Sequence, residues 1–250
     1  MPAPTPVFPN VTGNWQFELK LTAPSPPSAP TNPIADLFGS LTSTGAKVTG
    51  TLNARAVAFA PCVANNADLP VTGTVDASGN LNLTFPVAGG VATIVSTALV
   101  LPPSPVNTNG TYQVIGGPCA QASIPITAFQ VPNVSGTYAG TMTQLFPTSG
   151  SGSLAVKAVL VESSTPNADG EFPLSGTVTY TGDCSSTLSF TNGVVFGEQL
   201  QSAPISPTFS TSTELFSAAA PLVPAEGLPA SFFMPDGCSG ITYHGSLIRQ

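Results

Sequence analysis

Polar and apolar residues alternate along most of this chain. In Trp15-Gln16-Phe17-Glu18-Leu19-Lys20-Leu21 every second side chain is apolar, the period of a strand with one buried face. The same alternation recurs at residues 46–52, 112–115, 154–161, 174–180 and 241–248. Residues 71–75 and 81–85 flank Asp76-Ala77-Ser78-Gly79-Asn80, which reads as a hairpin with a glycine-containing turn. No stretch of ten or more residues has the period of an amphipathic helix. The helical candidates are short turns at 33–38 and 213–220, the second stopped by Pro221.

A long-range repeat overlies this local pattern. Asn10-Val11-Thr12-Gly13-Asn14-Trp15 matches Asn133-Val134-Ser135-Gly136-Thr137-Tyr138, and Val48-Thr49-Gly50-Thr51-Leu52 matches Leu174-Ser175-Gly176-Thr177-Val178. Near the end of each copy an aromatic stretch runs into a Gly-Cys turn, from Tyr112 to Cys119 and from Phe232 to Cys238. The matches keep their order, so the chain divides into a Pro-rich extended arm (1–9), a first β domain (10–131) and a second (132–250). Eight or nine short strands per copy, separated by turn residues, predict an all-β fold: two tandem antiparallel barrels or sandwiches.

Each copy carries two cysteines, Cys62 with Cys119 and Cys184 with Cys238, at nearly equal separations. Four cysteines allow three pairings, and the repeat selects Cys62–Cys119 and Cys184–Cys238. Zinc would need clustered cysteines with histidines nearby, and neither is found in the sequence. The competing reading is four buried thiols. Disulfides imply an oxidising compartment.

Charge narrows the partners. Only 7% of residues are charged, against about 25% in ordinary soluble domains. The five bases, Lys20, Lys47, Arg55, Lys157 and Arg249, are dispersed, so no basic stripe exists for nucleic acid or anionic lipid. The longest apolar stretch, 91–101, is broken by Thr93, Ser96 and Thr97 and falls short of the ~20 residues that span a bilayer. The first residues, Met1-Pro2-Ala3-Pro4-Thr5-Pro6, have neither a basic nor an apolar segment. Two readings compete, a cytosolic protein and an exported one whose signal has been removed, and cysteines and composition favour the second.

Candidate chemistry is sparse. His244 is the only histidine, and Ser246, two residues on, shares its strand face. No G-x-S-x-G elbow accompanies them, so a solvent-facing strand histidine is the default. Asn167, Asp169 and Glu171 place oxygens at alternate positions, as calcium loops do. Without the longer acidic pattern they read better as a polar hairpin turn, as do Asp76, Ser78 and Asn80. Twelve scattered acids leave a carboxylate-pair hydrolase open. Sequons begin at Asn10, Asn82, Asn109 and Asn133. No cofactor motif is present.

Gly13-Asn14-Trp15 resembles the G-x-W that opens lipocalins and related calycin barrels. In that family the Trp packs under the closed end of the barrel against an Arg of the last strand. The second copy has Gly136-Thr137-Tyr138 and a terminal Arg249, while the first has the Trp and no base in its last strand. The resemblance implies a barrel and a carrier of a small apolar ligand. A broader likeness is to acidobacterial-type secreted lipoproteins of unassigned function. The chain is similar to them in its V-[ST]-G-x-[WY] strand starts, its [VL]-[ST]-G-T-[VL] strands and the turn Gly116-Gly117-Pro118-Cys119. That likeness implies a secreted or lipid-attached envelope location, although the lipid-carrying cysteine is missing, and brings no catalytic residues. Three functions follow as expectations: a non-catalytic structural or adhesive module that assembles through edge strands or the N-terminal arm, an apolar-ligand carrier, and a hydrolase. The scarcity of titratable groups favours the first.

Overall fold

The computed structural model describes residues 6–20, 34–54, 67–87, 89–97, 107–117, 120, 122–145, 152–182, 185–202, 215–219, 227–234 and 241–250. The described residues contain no α-helix and sixteen strands. The first eight are β1 (Gly13–Lys20), β2 (Ile34–Thr44), β3 (Lys47–Asn53), β4 (Asp68–Val75), β5 (Leu81–Val87), β6 (Gly90–Ser96), β7 (Asn107–Ile115) and β8 (Ile124–Val131). The second eight are β9 (Gly136–Gln144), β10 (Ser153–Glu162), β11 (Phe172–Gly182), β12 (Ser186–Phe196), β13 (Gln199–Gln201), β14 (Leu215–Ala219), β15 (Leu228–Met234) and β16 (Ile241–Arg249). Each set forms a closed antiparallel barrel in which every strand lies between its neighbours in sequence. The first closes through β1 and β8, the second through β9 and β16. The main division of the chain falls between Val131 and Pro132.

Closure decides between barrel and sandwich, which the period-2 pattern leaves open because both bury alternate residues. In β10 the burial is strictly alternate, with Leu154, Val156, Ala158 and Leu160 inside and Lys157, Val159 and Val161 outside. The inner face is apolar up to Glu162, while the outer face mixes Ser153 and Lys157 with Val159 and Val161. No helix among the described residues is long and apolar enough to cross a membrane.

An eight-stranded barrel is just wide enough for its own side chains to fill. In the first barrel Trp15, Phe17, Leu19, Leu37, Leu41, Val48, Leu83, Ile94 and Tyr112 belong to one contiguous buried cluster. Trp15 and Phe17 stack with ring centroids 6.0 Å apart. Burial at this depth pushes the Tyr112 phenol up to about 12. Tyr138, Tyr180, Tyr243, Phe216 and Leu247 fill equivalent depths in the second barrel.

Two expectations need correction. Residues 34–38 of the first helical candidate are the start of β2, and 215–219 of the second are β14. Ladder pairing of Leu37 with Phe17 and of Phe216 with Phe232 overrides the local preference. The remainder of both stretches lies outside the described residues. So do Cys62, Cys119, Cys184 and Cys238. Part of the arm is tied down, because Phe8 packs against the core of the first barrel.

Candidate functional site

The most elaborate polar construction lies where each barrel's first strand begins, and it is built twice. Asn10 Oδ1 accepts the Thr12 amide at 2.9 Å, and Asn133 Oδ1 accepts the Ser135 amide at the same distance. These short turns aim Val11 and Val134 inward, each 1% exposed. The next residues, Gly13 and Gly136, have φ of +145° and +156°, a conformation that disfavours any side chain. Two residues further on, the Trp15 indole Nε1–H donates to the Val11 carbonyl at 2.8 Å, and the Tyr138 hydroxyl donates to the Val134 carbonyl at 2.9 Å. An indole and a phenol thus satisfy the same buried carbonyl four residues back.

The last strand of each barrel covers this turn. Arg249 is the ladder partner of Tyr138 and donates to the Ser135 carbonyl at 2.7 Å. Gln130 is the ladder partner of Trp15 and donates from Nε2 to the Thr12 carbonyl, also at 2.7 Å. A Cβ on Gly13 would stand 2.7 Å from the Gln130 amide nitrogen, and one on Gly136 would stand 3.0 Å from the Arg249 Nε; both atoms end flexible side chains that can shift, so the positive φ is what calls for glycine at these positions. A search for a base in the first copy's last strand misses Gln130, since a neutral amide does the same bonding.

The second strand supplies the final contact, and here the copies diverge chemically. The Val11 amide donates to Ser43 Oγ at 3.1 Å, whereas the Val134 amide donates to Glu162 Oε2 at 2.6 Å. Register makes Ser43 and Glu162 equivalent, because Leu41 pairs with Gly13 and Leu160 with Gly136. Glu162 is 8% exposed, and burial pushes its carboxyl up to about 7 against the downward pull of the Val134 amide. The Tyr138 phenol is raised by burial, lowered by the Arg249 guanidinium and raised by the Glu162 charge. The first barrel places a hydroxyl, an indole and an amide where the second has a carboxylate, a phenol and a guanidinium.

Glu162 was legible by period alone. Leu154, Val156, Ala158, Leu160 and Glu162 form one inward series, and an acid that continues such a series is a buried acid.

The remaining candidates are local fixtures. His244 and Ser246 are exposed on β16. Asn167 and Glu171 close their turn on each other: the Glu171 amide donates to Asn167 Oδ1 at 2.9 Å, and Asn167 Nδ2 donates to Glu171 Oε2 at 3.1 Å. Asp169 is exposed. Asp76 accepts the Ser78 and Asn80 amides and the Asn80 side chain, and these bonds, the Asn80 side chain first, lower its carboxyl below the usual range. Asn10, Asn82, Asn109 and Asn133 are all exposed. Among the described residues no cluster of three metal-ligating side chains occurs. On the outer face of the second barrel, Val159, Val161, Gly176 and Phe190 line an open groove of about 440 Å³ rimmed by serine and threonine hydroxyls. It contains no charged or titratable group.

No family model, curated protein or solved structure matches this chain.

Proposed function

We propose that the chain is a non-catalytic extracellular or cell-envelope β protein with a structural, adhesive or assembly role. The observation that carries this reading is where its buried polar atoms go. Glu162, Tyr138 and Trp15 bond the backbone of their own barrels, and Glu171 bonds Asn167 within its own turn. Acids engaged in this way are fixed as structural bonds, in contrast to a hydrolase pair facing each other across a cleft. A filled interior likewise favours a scaffold over a carrier, since a ligand would have to displace Phe17, Leu83 and Tyr112. Barrel closure removes the free edges that strand addition uses, so assembly falls to the N-terminal segment and the outer faces.

The same reading includes two staples, Cys62–Cys119 and Cys184–Cys238, and an oxidising compartment. Strand order supports this pairing. β3 and β7 end, and β4 and β8 begin, at the barrel end opposite the Val11 turn, and Cys62 and Cys119 fall between them in sequence. In the second barrel β11 and β15 end, and β12 and β16 begin, at the end opposite the Val134 turn, with Cys184 and Cys238 between them in sequence. Closing a loop of roughly 55 residues adds about 2–4 kcal/mol per domain.

Native mass spectrometry, paired with light scattering over a concentration series, tests the function. The expected result is no co-purified ligand and oligomers that grow with concentration. A stoichiometric apolar ligand displaced by a hydrophobic dye would overturn the reading in favour of a carrier. Alkylation before and after reduction tests the staples: four reactive thiols in the native protein would remove them.

A further inference from the structure

We propose that Glu162, held against the Val134 amide at the start of the second barrel, is a proton-sensitive latch on that barrel's first strand, and that the first barrel lacks it. The geometry is specific. One carboxylate oxygen takes the Val134 amide at 2.6 Å, while the Glu162 backbone is bonded to Ser135: its amide donates to Oγ at 2.9 Å and its carbonyl accepts from the same hydroxyl at 3.4 Å. Val134 in turn presents its carbonyl to the Tyr138 hydroxyl. The carboxyl therefore sits at the head of a chain of bonds that seats β9. In the first barrel the corresponding chain runs from Ser43 through Val11 to Trp15, and none of those side chains titrates near neutrality.

The titratable and charged groups on the surrounding elements are Tyr138 on β9, Lys157 on β10, Tyr180 on β11, and Tyr243, His244 and Arg249 on β16, with Asp169 and Glu171 in the following turn. Arg249 is bonded to the Ser135 carbonyl, and among the described residues no cation pairs with Glu162. Desolvation therefore dominates, and it disfavours the charged form.

The direction of the response follows. The folded carboxyl titrates at about 7 and the free one at 4.5, so the folded state holds a proton that the opened state releases. Stability from that proton is fully present below 4.5 and is lost as pH rises through about 7. Raising pH from 5 to 8 should favour opening of the segment around Val134 by on the order of 100-fold.

Hydrogen exchange of the full chain, corrected for the intrinsic pH dependence of the amide rate, tests this. Protection around Val134–Tyr138 should fall between pH 5 and pH 8 while protection around Val11–Trp15 holds. Glu162→Gln keeps an acceptor oxygen and should abolish the difference; Glu162→Ser, which copies position 43, is the second variant should the first fail to fold. Equal pH dependence in the two segments, or a dependence that survives either substitution, overturns the proposal.

Discussion

The starts of the two barrels share one hydrogen-bond plan and no side chain at three of its main positions. Ser43, Trp15 and Gln130 in the first barrel stand where Glu162, Tyr138 and Arg249 stand in the second. The comparison separates what the fold demands from how the demand is met. The fold demands a donor for the buried carbonyl at Val11 or Val134, an acceptor for the amide of the same residue, and a long polar arm over the glycine. Size is compensated across the ladder as well. Trp15 pairs with Gly39, whereas the smaller Tyr138 pairs with Ala158. Conserving the bonds while exchanging the groups has left one barrel neutral at this point and the other ionisable.

The largest effect should come from truncating the anchors. Trp15→Ala and Tyr138→Ala each remove a fully buried aromatic and a buried hydrogen bond, and should cost about 3–5 kcal/mol. Trp15 is the chain's only tryptophan, so its fluorescence reports the first barrel alone during denaturant unfolding. If Tyr138→Ala shifts far-ultraviolet circular dichroism at low denaturant and leaves the tryptophan transition in place, the barrels unfold separately. A single shared transition would break the comparison by making them one cooperative unit.

Next in size is the glycine opposite the tryptophan. A Cβ on Gly39 would stand 2.1 Å from the Thr51 carbonyl oxygen, and its φ is +153°. Gly39→Ala should therefore cost about 1–3 kcal/mol, read as a lower denaturant midpoint of the tryptophan signal. The reciprocal Ala158→Gly should cost only about 0.5–1 kcal/mol, the ordinary loss for glycine in a strand. Similar costs for the two would mean that the compensation across the ladder is accidental.

Much of this could be read from residues in order. Alternation located β1, β3, β4, β5, the end of β7, β10, β11 and β16, because a half-buried strand writes its period directly into the chain. The repeat of Asn10–Trp15 at Asn133–Tyr138 located the two starts, since the Asx turn and the glycine need particular residue types. Closure was not legible: whether β1 meets β8 depends on twist and stagger accumulated over eight strands, which no short window contains. The stretch around Leu215 and Phe216 misled because alanine, leucine and glutamate favour helix locally, while pairing with β15 decides the outcome. Gln130 was hidden for a different reason. Its role depends on reach and on a donating N–H, and charge, the property that singles out Arg249, is incidental to it.

Deleting one hydroxyl is a smaller perturbation. Tyr138→Phe leaves the Val134 carbonyl without its donor at almost unchanged volume and should cost about 1–2 kcal/mol. Trp15→Tyr, by contrast, retains a donor and borrows the second barrel's solution, although the smaller ring leaves space beside Gly39. The two variants distinguish a bond that matters from a ring that merely fills. A Tyr138→Phe protein as stable as wild type in chemical denaturation would assign the anchor's whole contribution to packing.

The smallest effect is the sharpest test of equivalence. Arg249 and Gln130 each lay one N–H donor on a carbonyl at 2.7 Å, and Arg249 is exposed, so solvent and salt reduce what its charge adds. Arg249→Gln and Gln130→Arg should each change stability by less than about 1 kcal/mol, provided the amide reaches the Ser135 carbonyl. Removal of the arm is different: Gln130→Ala and Arg249→Ala expose the turn above Gly13 and Gly136 and should both cost more than the swaps. The ordering matters more than the sizes. If Arg249→Gln were as damaging as Arg249→Ala in thermal or denaturant melts, the guanidinium would be acting through its charge on Tyr138 and Glu162. The second barrel's start would then be an electrostatic device from end to end, with the first barrel its neutral relative in backbone only.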